Sequence, residues 1–281
     1  MPSRTIYVDS EVIITPPSIT DRSIEAVTSA TYTTDTPREQ VSAFGKDGQV
    51  ATVQNESTTS TIEIVFHPLE TGAVASGFTP NDLCAIMVDS GKATPTGSTV
   101  DVRGIGKVTA AILTSVTAEG SVGGLPTITL SFDGTAGTAT GITAGATDIS
   151  YSIATAENVV LMAQGVGGNV NAYAQTASFN WEMPVERLNR LGDSVDSATT
   201  YGTPPGTSSV SVEGTDDAGA ITEVAFGNFH FSMPSSAAVS NVTNNLAVGE
   251  IGATYNTTTE GTAQGSRCKD QSPDNPWSRG D

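Results

Sequence analysis

The chain has only two histidines, and neither sits in a pattern that does chemistry. His67 precedes Pro68 at the end of an alternating apolar run, and His230 alternates with Phe229 and Phe231. A general base needs a partner within hydrogen-bond reach. No Gly-x-Ser-x-Gly elbow, His-Glu-x-x-His or Cys-x-x-Cys supplies one. Gly104-Ile105-Gly106-Lys107 and Gly165-Val166-Gly167-Gly168 complete no phosphate-binding fingerprint, and turns or bulges account for them. Asp216-Asp217 lacks the spaced ligands of a calcium loop. With 30 acidic residues, carboxylate pairs arise by chance, so no glycosidase acid and nucleophile stand out. The sequence nominates no catalytic, metal-ligating or cofactor-binding residue, and neither an enzyme activity nor a cofactor is expected.

The elements around these residues are built from small side chains. Gly, Ala, Ser and Thr together make up 129 of 281 residues, against nine Leu and four Lys. Thr, Val, Ile and Gly suit strands and tight turns rather than a helical bundle. The net charge is −18, divided as −9 in each half about residue 150. A field of that sign repels polyanions and argues against a nucleic-acid-gripping protein or one held on an anionic membrane. Met1-Pro2-Ser3-Arg4-Thr5 opens no secretory signal, and no apolar run reaches the ~18 residues of a membrane helix. Cys84 and Cys268 are too few for a disulfide scaffold and read as free thiols.

Period-two alternation recurs along the chain. Ile62, Ile64 and Phe66 form one set; Ile128, Leu130 and Phe132 a second; Val210 and Val212 a third; Phe229, Phe231 and Met233 a fourth. Each places one face in a core. Turns are expected at Lys46-Asp47-Gly48, Asp133-Gly134, Gly202 to Gly206 and Gly214 to Asp217. Val239, Val242 and Leu246 have helical spacing among poor helix formers. The expected fold is mainly β with few short helices.

An internal repeat organises this pattern. Residues 27–45 (VTSATYTTDTPREQVSAFG) align without a gap, at an offset of 147, with 174–192 (AQTASFNWEMPVERLNRLG). The matched corner is Pro37, Glu39, Val41, Phe44 and Gly45 in the first copy, and Pro184, Glu186, Leu188, Leu191 and Gly192 in the second. Pro ends strand pairing. The aliphatic and Phe/Leu positions, three apart, fit one helical turn or a compact corner pinned to the core, and Gly permits a left-handed exit. Two related β-sandwich or barrel-like domains in tandem follow: 1–150, with an insertion within 67–125, and 151–262. A polar extension, 263–281, holds Cys268, Trp277 and a terminal Arg-Gly-Asp.

The run Ala172–Gly192, through Met183-Pro184-Val185-Glu186-Arg187-Leu188-Asn189-Arg190-Leu191-Gly192, resembles the tail tube proteins of long-tailed bacteriophages, and Phe44-Gly45 closes a weaker copy. The resemblance covers about 20 residues in each half. It implies a β subunit whose strands join neighbours into rings that stack as a hollow tube in the virion tail, assembled in the host bacterial cytoplasm. Two domains per chain imply a trimer with pseudo-sixfold symmetry in preference to a hexamer. The implied partners are further copies of the chain and other tail proteins such as the tape measure and the terminator. The inner wall is expected to be acidic, DNA enters as a passenger that does not stick, and no membrane is involved. The chain is long for a single-domain tube protein, and its Gly-rich 134–146 segment has no counterpart in that family.

A surface decoration protein or adhesin is the competing reading, favoured by the Thr/Gly-rich β composition and by Arg279-Gly280-Asp281. A polysaccharide hydrolase is a third and requires a carboxylate pair in a cleft.

Overall fold

Ile62, Ile64 and Phe66, then Ile128, Leu130 and Phe132, and then Val210 and Val212 are all buried, while the residues between them face outward or are half-buried. The alternation therefore sets both strand and face, and each buried aliphatic or Phe side chain contributes about 1.5–3 kcal/mol by leaving water. A computed structural model describes residues 11–42, 49–54, 58–70, 77–142, 152–163, 174–188, 199–202, 206–214, 220–245, 254–263 and 266–270.

The first strands are β1 (Val12–Thr15), β2 (Arg22–Ile24), β3 (Val27–Asp35), β4 (Arg38–Ser42), β5 (Gln49–Gln54) and β6 (Thr59–Phe66). A helix, α1 (Pro80–Ser90), precedes β7 (Ser98–Val102), β8 (Gly106–Ser121) and β9 (Thr127–Gly137). Then come β10 (Val159–Ala163), β11 (Ala174–Glu182), β12 (Val185–Leu188), β13 (Thr199–Gly202) and β14 (Thr207–Gly214). The last are β15 (Ile221–Phe226), β16 (Phe229–Ser232), β17 (Ala238–Asn245), β18 (Thr254–Thr262) and β19 (Arg267–Asp270).

One antiparallel path of eight strands runs β3-β6-β9-β8-β11-β14-β18-β17. Strand β8 is its spine. Its 16 residues span roughly 50 Å at about 3.3 Å per residue. One edge of β8 pairs β9, while the other pairs β7 first and β11 further along. Strands β1 and β2 continue the β7 branch. A four-stranded sheet, β10-β15-β16-β19, covers one face. Phe179 of β11 stacks on Phe231 of β16 with centroids 4.4 Å apart, and Phe66 of β6 meets Phe229 edge-on at 5.7 Å. The result is a β sandwich.

The expected boundary near residue 150 does not divide the core. Leu130 and Val116 from one side of it, and Phe179, Trp181 and Phe231 from the other, belong to one hydrophobic cluster. The β8–β11 pair joins the two segments within a single sheet. The polar extension also begins later than 263. Ala263, Ser266 and Cys268 are buried, and β19 pairs β16, because alternation resumes there and closes the edge of the small sheet. Trp277 and the terminal tripeptide lie outside the described residues. Both cysteines are free, Cys268 in the core and Cys84 half-buried on α1.

Three local expectations change. Val239 and Val242 lie on a strand, β17, since pairing with β18 overrides their helical spacing. Asp133-Gly134 is no turn but the interior of β9. The 67–125 segment contains α1, started by a capping box. The Asp82 amide donates to Thr79 Oγ1 at 3.2 Å, and Asp82 Oδ2 accepts from the Thr79 amide at 2.9 Å, with Pro80 in the first turn. Leu83, Ile86 and Met87 then pack inward.

Candidate assembly surface

The large sheet turns one face to the small sheet and the other to solvent. Residues paired directly across neighbouring strands share a face, so the outer face can be read row by row. Glu63 pairs Ser131, which pairs Ser115, then Glu182, then Thr207. A second row runs Thr129, Thr117, Asn180, Ser209, Glu260. A third runs Thr127, Glu119, Ser178, Ser211, Thr258. The same face carries Asp35, Asp133 and Glu213.

It is a hydroxyl-covered wall studded with carboxylates. Thr117 Oγ1 donates to Asn180 Oδ1 at 2.7 Å, and Ser211 Oγ to Asn256 Oδ1 at 3.2 Å, so the small polar side chains bond to one another across strands. The one basic residue in the eight strands is Lys107, at the far end of β8 opposite Asp101. Among the described residues, the other cation reaching the face is Arg187, whose Nη2 donates to Asp133 Oδ1 at 2.6 Å.

The two repeat motifs leave this sheet at equivalent places. After β3 and again after β11 the chain passes through a proline, Pro37 or Pro184, into a short strand that pairs only with its own return strand. These two ribbons are β4–β5 and β12–β13. Glu39 and Val41 lie exposed on β4; Glu186 and Leu188 lie exposed on β12. The expected helical turn or core-pinned corner is therefore replaced by an extended ribbon, with Val41 43% and Leu188 50% exposed. Proline ends pairing with the sheet, as expected, but the chain then pairs with itself. Phe44, Gly45, Leu191 and Gly192 lie outside the described residues. The structure thus brings Pro37, Glu39 and Val41 to one ribbon and Pro184, Glu186 and Leu188 to the other.

At the ends of the eight-stranded path, β3 and β17 each lack a partner on one side among the described residues. Neither contains Lys, Arg or Pro, the residues that usually blunt an open edge.

The histidines occupy structural places. His67 Nδ1 lies 2.8 Å from the Pro126 carbonyl, to which it donates as N–H. His230 is buried on β16, with Nε2 3.1 Å from Glu223 Oε2 on β15. Among the described residues, no group of three or more His, Cys, Asp or Glu is placed to hold a metal ion. Gly104 is in the β7–β8 turn with φ +76°, as expected of a turn glycine, whereas Gly165 to Gly168 and Asp216-Asp217 lie outside the described residues. The sequence matches no protein-family profile and no curated protein.

The sequence led to the expectation of an acidic inner wall but not to which carboxylates share a face. These carboxylates are spread over seven strands, and only the strand order brings Glu63, Glu119, Glu182 and Glu260 onto one wall. The open edges were missed for the same reason.

Proposed function

We propose that this chain is the structural subunit of a phage tail tube, assembling into stacked rings whose acidic bore passes viral DNA. One observation carries the reading: the outer face of the large sheet holds seven carboxylates over Ser and Thr, with Lys107 and Arg187 as its only cations among the described residues. A polyanion moving along such a wall meets repulsion from every side. At 0.1 M salt the field decays over about 10 Å, so DNA would be held off the wall while still filling the channel. Hydroxyl groups that bond to one another offer few free donors to passing phosphates.

The wall is also of suitable size. Three chains each contribute an eight-stranded sheet. With strands about 4.8 Å apart and tilted about 40°, the closed wall measures roughly 50 Å between backbones. That leaves room for a duplex after side chains are counted. The ribbons β4–β5 and β12–β13 pair outside the large sheet, as elements that reach a neighbouring copy or ring would, although Arg187 ties the second one to Asp133. No covalent chemistry is required of any residue.

Electron microscopy of negatively stained, purified protein tests the reading. Rings or tubes with a central hole support it. Monomers across a wide range of concentration and salt overturn it.

A further inference from the structure

The β8–β11 junction inside one chain has a counterpart left open at the ends of the sheet. The four strands β3, β6, β9 and β8 are adjacent in the order first, second, fourth, third along the chain. Strands β11, β14, β18 and β17 repeat that order. The match extends to individual pairs. Ala30–Ile64 and Ala177–Val212 are equivalent, and the next strands follow as Leu130 and Thr257, then Val116 and Val242.

The irregularities coincide too. The bulge between Val27 and Ser29 recurs between Ala174 and Thr176, at the 147-residue offset of the sequence repeat. The bulge between Leu113 and Ser115 of β8 recurs between Val239 and Asn241 of β17. Bulges are conserved design features rather than accidents of a regular strand, so two coincidences at matched positions mark β17 as the counterpart of β8.

The counterparts differ in surroundings. Leu113 and Val116 of β8 are fully buried, Val116 directly opposite Trp181 of β11. Val239 and Val242 are 39% and 47% exposed, on an edge that no described strand pairs. Strand β11 corresponds to β3, the other open edge. An even number of antiparallel strands also makes β3 and β17 run in opposite directions. Copies related by rotation about an axis along the strands therefore meet edge to edge in the antiparallel sense, as β8 meets β11.

We infer that the open edge β17 of one chain pairs with β3 of a second copy in the register of the β8–β11 junction, with Val242 opposite Thr34 and Thr243 opposite Thr33. Thr117 opposite Asn180 is the internal template for the second pair. The inference rests on the ring reading above and names its contact. The head-to-tail join continues the acidic face from chain to chain, and it is heterologous, the kind of contact that gives a ring where its rotation closes.

Disulfide trapping tests this contact. Thr33 and Thr243 are both exposed, and seven strand spacings, roughly 34 Å, separate their strands within one chain, so an intramolecular link is impossible. Oxidising T33C/T243C should give covalent dimers and higher species at more than ten times the level from either single variant or the natural chain. T31C/T243C, shifted by two residues, should stay at the background level. Amide hydrogen exchange on the unsubstituted protein should show β3 and β17 protected in assembled material and not in monomer. Rings by microscopy without the T33C/T243C link, or with efficient linking of T33C alone, would overturn this register while leaving the ring reading intact. A protein that never leaves the monomer overturns both.

Discussion

Arg187 on β12 donates to Asp133 on β9 at 2.6 Å, tying the second ribbon to the outer face of the large sheet. Both side chains are mostly buried, so the pair is a charge-assisted hydrogen bond shielded from bulk water. The first ribbon has the uncharged Gln40 at the equivalent place.

R187A should therefore cost about 1–2 kcal/mol of stability, since it also leaves Asp133 unpaired among other carboxylates. It should also free the β12–β13 ribbon. Urea unfolding reads the first effect and limited proteolysis within 185–202 the second. Unchanged cleavage of that segment would show that Arg187 does not hold the ribbon.

Glu25 provides a pH-dependent handle. Burial first, and the Glu11 carboxylate second, raise its pKa above the ordinary 4.5. In the window above 4.5 the folded protein keeps a proton that the unfolded chain has released, so stability falls as pH rises through it. E25Q removes that penalty. The variant should unfold at higher urea than the natural chain at pH 7, with the gap narrowing as pH falls toward 4.5. A gap of equal size at both ends of the range would mean that ionisation of Glu25 is not the cause.

Gly134 shows why some of the fold could not be read from residue types. Asp133-Gly134 has the composition of a turn, yet it lies inside β9. A Cβ there would sit 2.6 Å from Val108 Cγ1, 2.7 Å from the Thr109 carbonyl oxygen and 2.9 Å from Ala111 Cα, beside the bulge in β8. The glycine serves close approach between strands, and two of the three clashes are with backbone. G134A should cost about 1–3 kcal/mol, measured by thermal or urea unfolding. A neutral outcome would mean that the bulge relaxes to admit the methyl group.

The same contrast runs through the whole chain. Ile62, Ile64 and Phe66 announce their strand because alternation is local, and the 27–45 and 174–192 repeat falls on β3–β4 and β11–β12 because duplicated sequence keeps its own strand breaks. Helix α1 went unread, because its capping signal, Thr79-Pro80-Asn81-Asp82, is hidden within a segment dominated by Gly, Pro and Thr. Strand order is different. Nothing local tells β8 to pair with β11 across 55 residues or more, and the shared core of Val116 with Trp181 follows from that pairing alone. The motif residues Val41 and Leu188 look like core positions by type, but proline had already released their strands from the sheet.

The carboxylate wall yields the prediction closest to function. Glu63, Glu119, Glu182 and Glu260 are exposed on four different strands, and their replacement disturbs no buried contact. Changing all four to Lys moves the charge of each chain by eight units toward positive, on one face. Assembled natural protein should leave duplex DNA unshifted on a native gel at 50 mM salt. The fourfold Lys variant should retain DNA at 50 mM salt and release it steeply by 200 mM, because each phosphate contact contributes about −0.9 to the slope of log affinity against log salt. In a virion the same variant should slow genome ejection, whereas a fourfold Gln variant should have a weaker effect, since it removes repulsion without adding attraction. If the Lys variant assembles normally and DNA still passes without binding, this face does not line the bore. The lining would then have to be sought on the ribbons or on the small sheet.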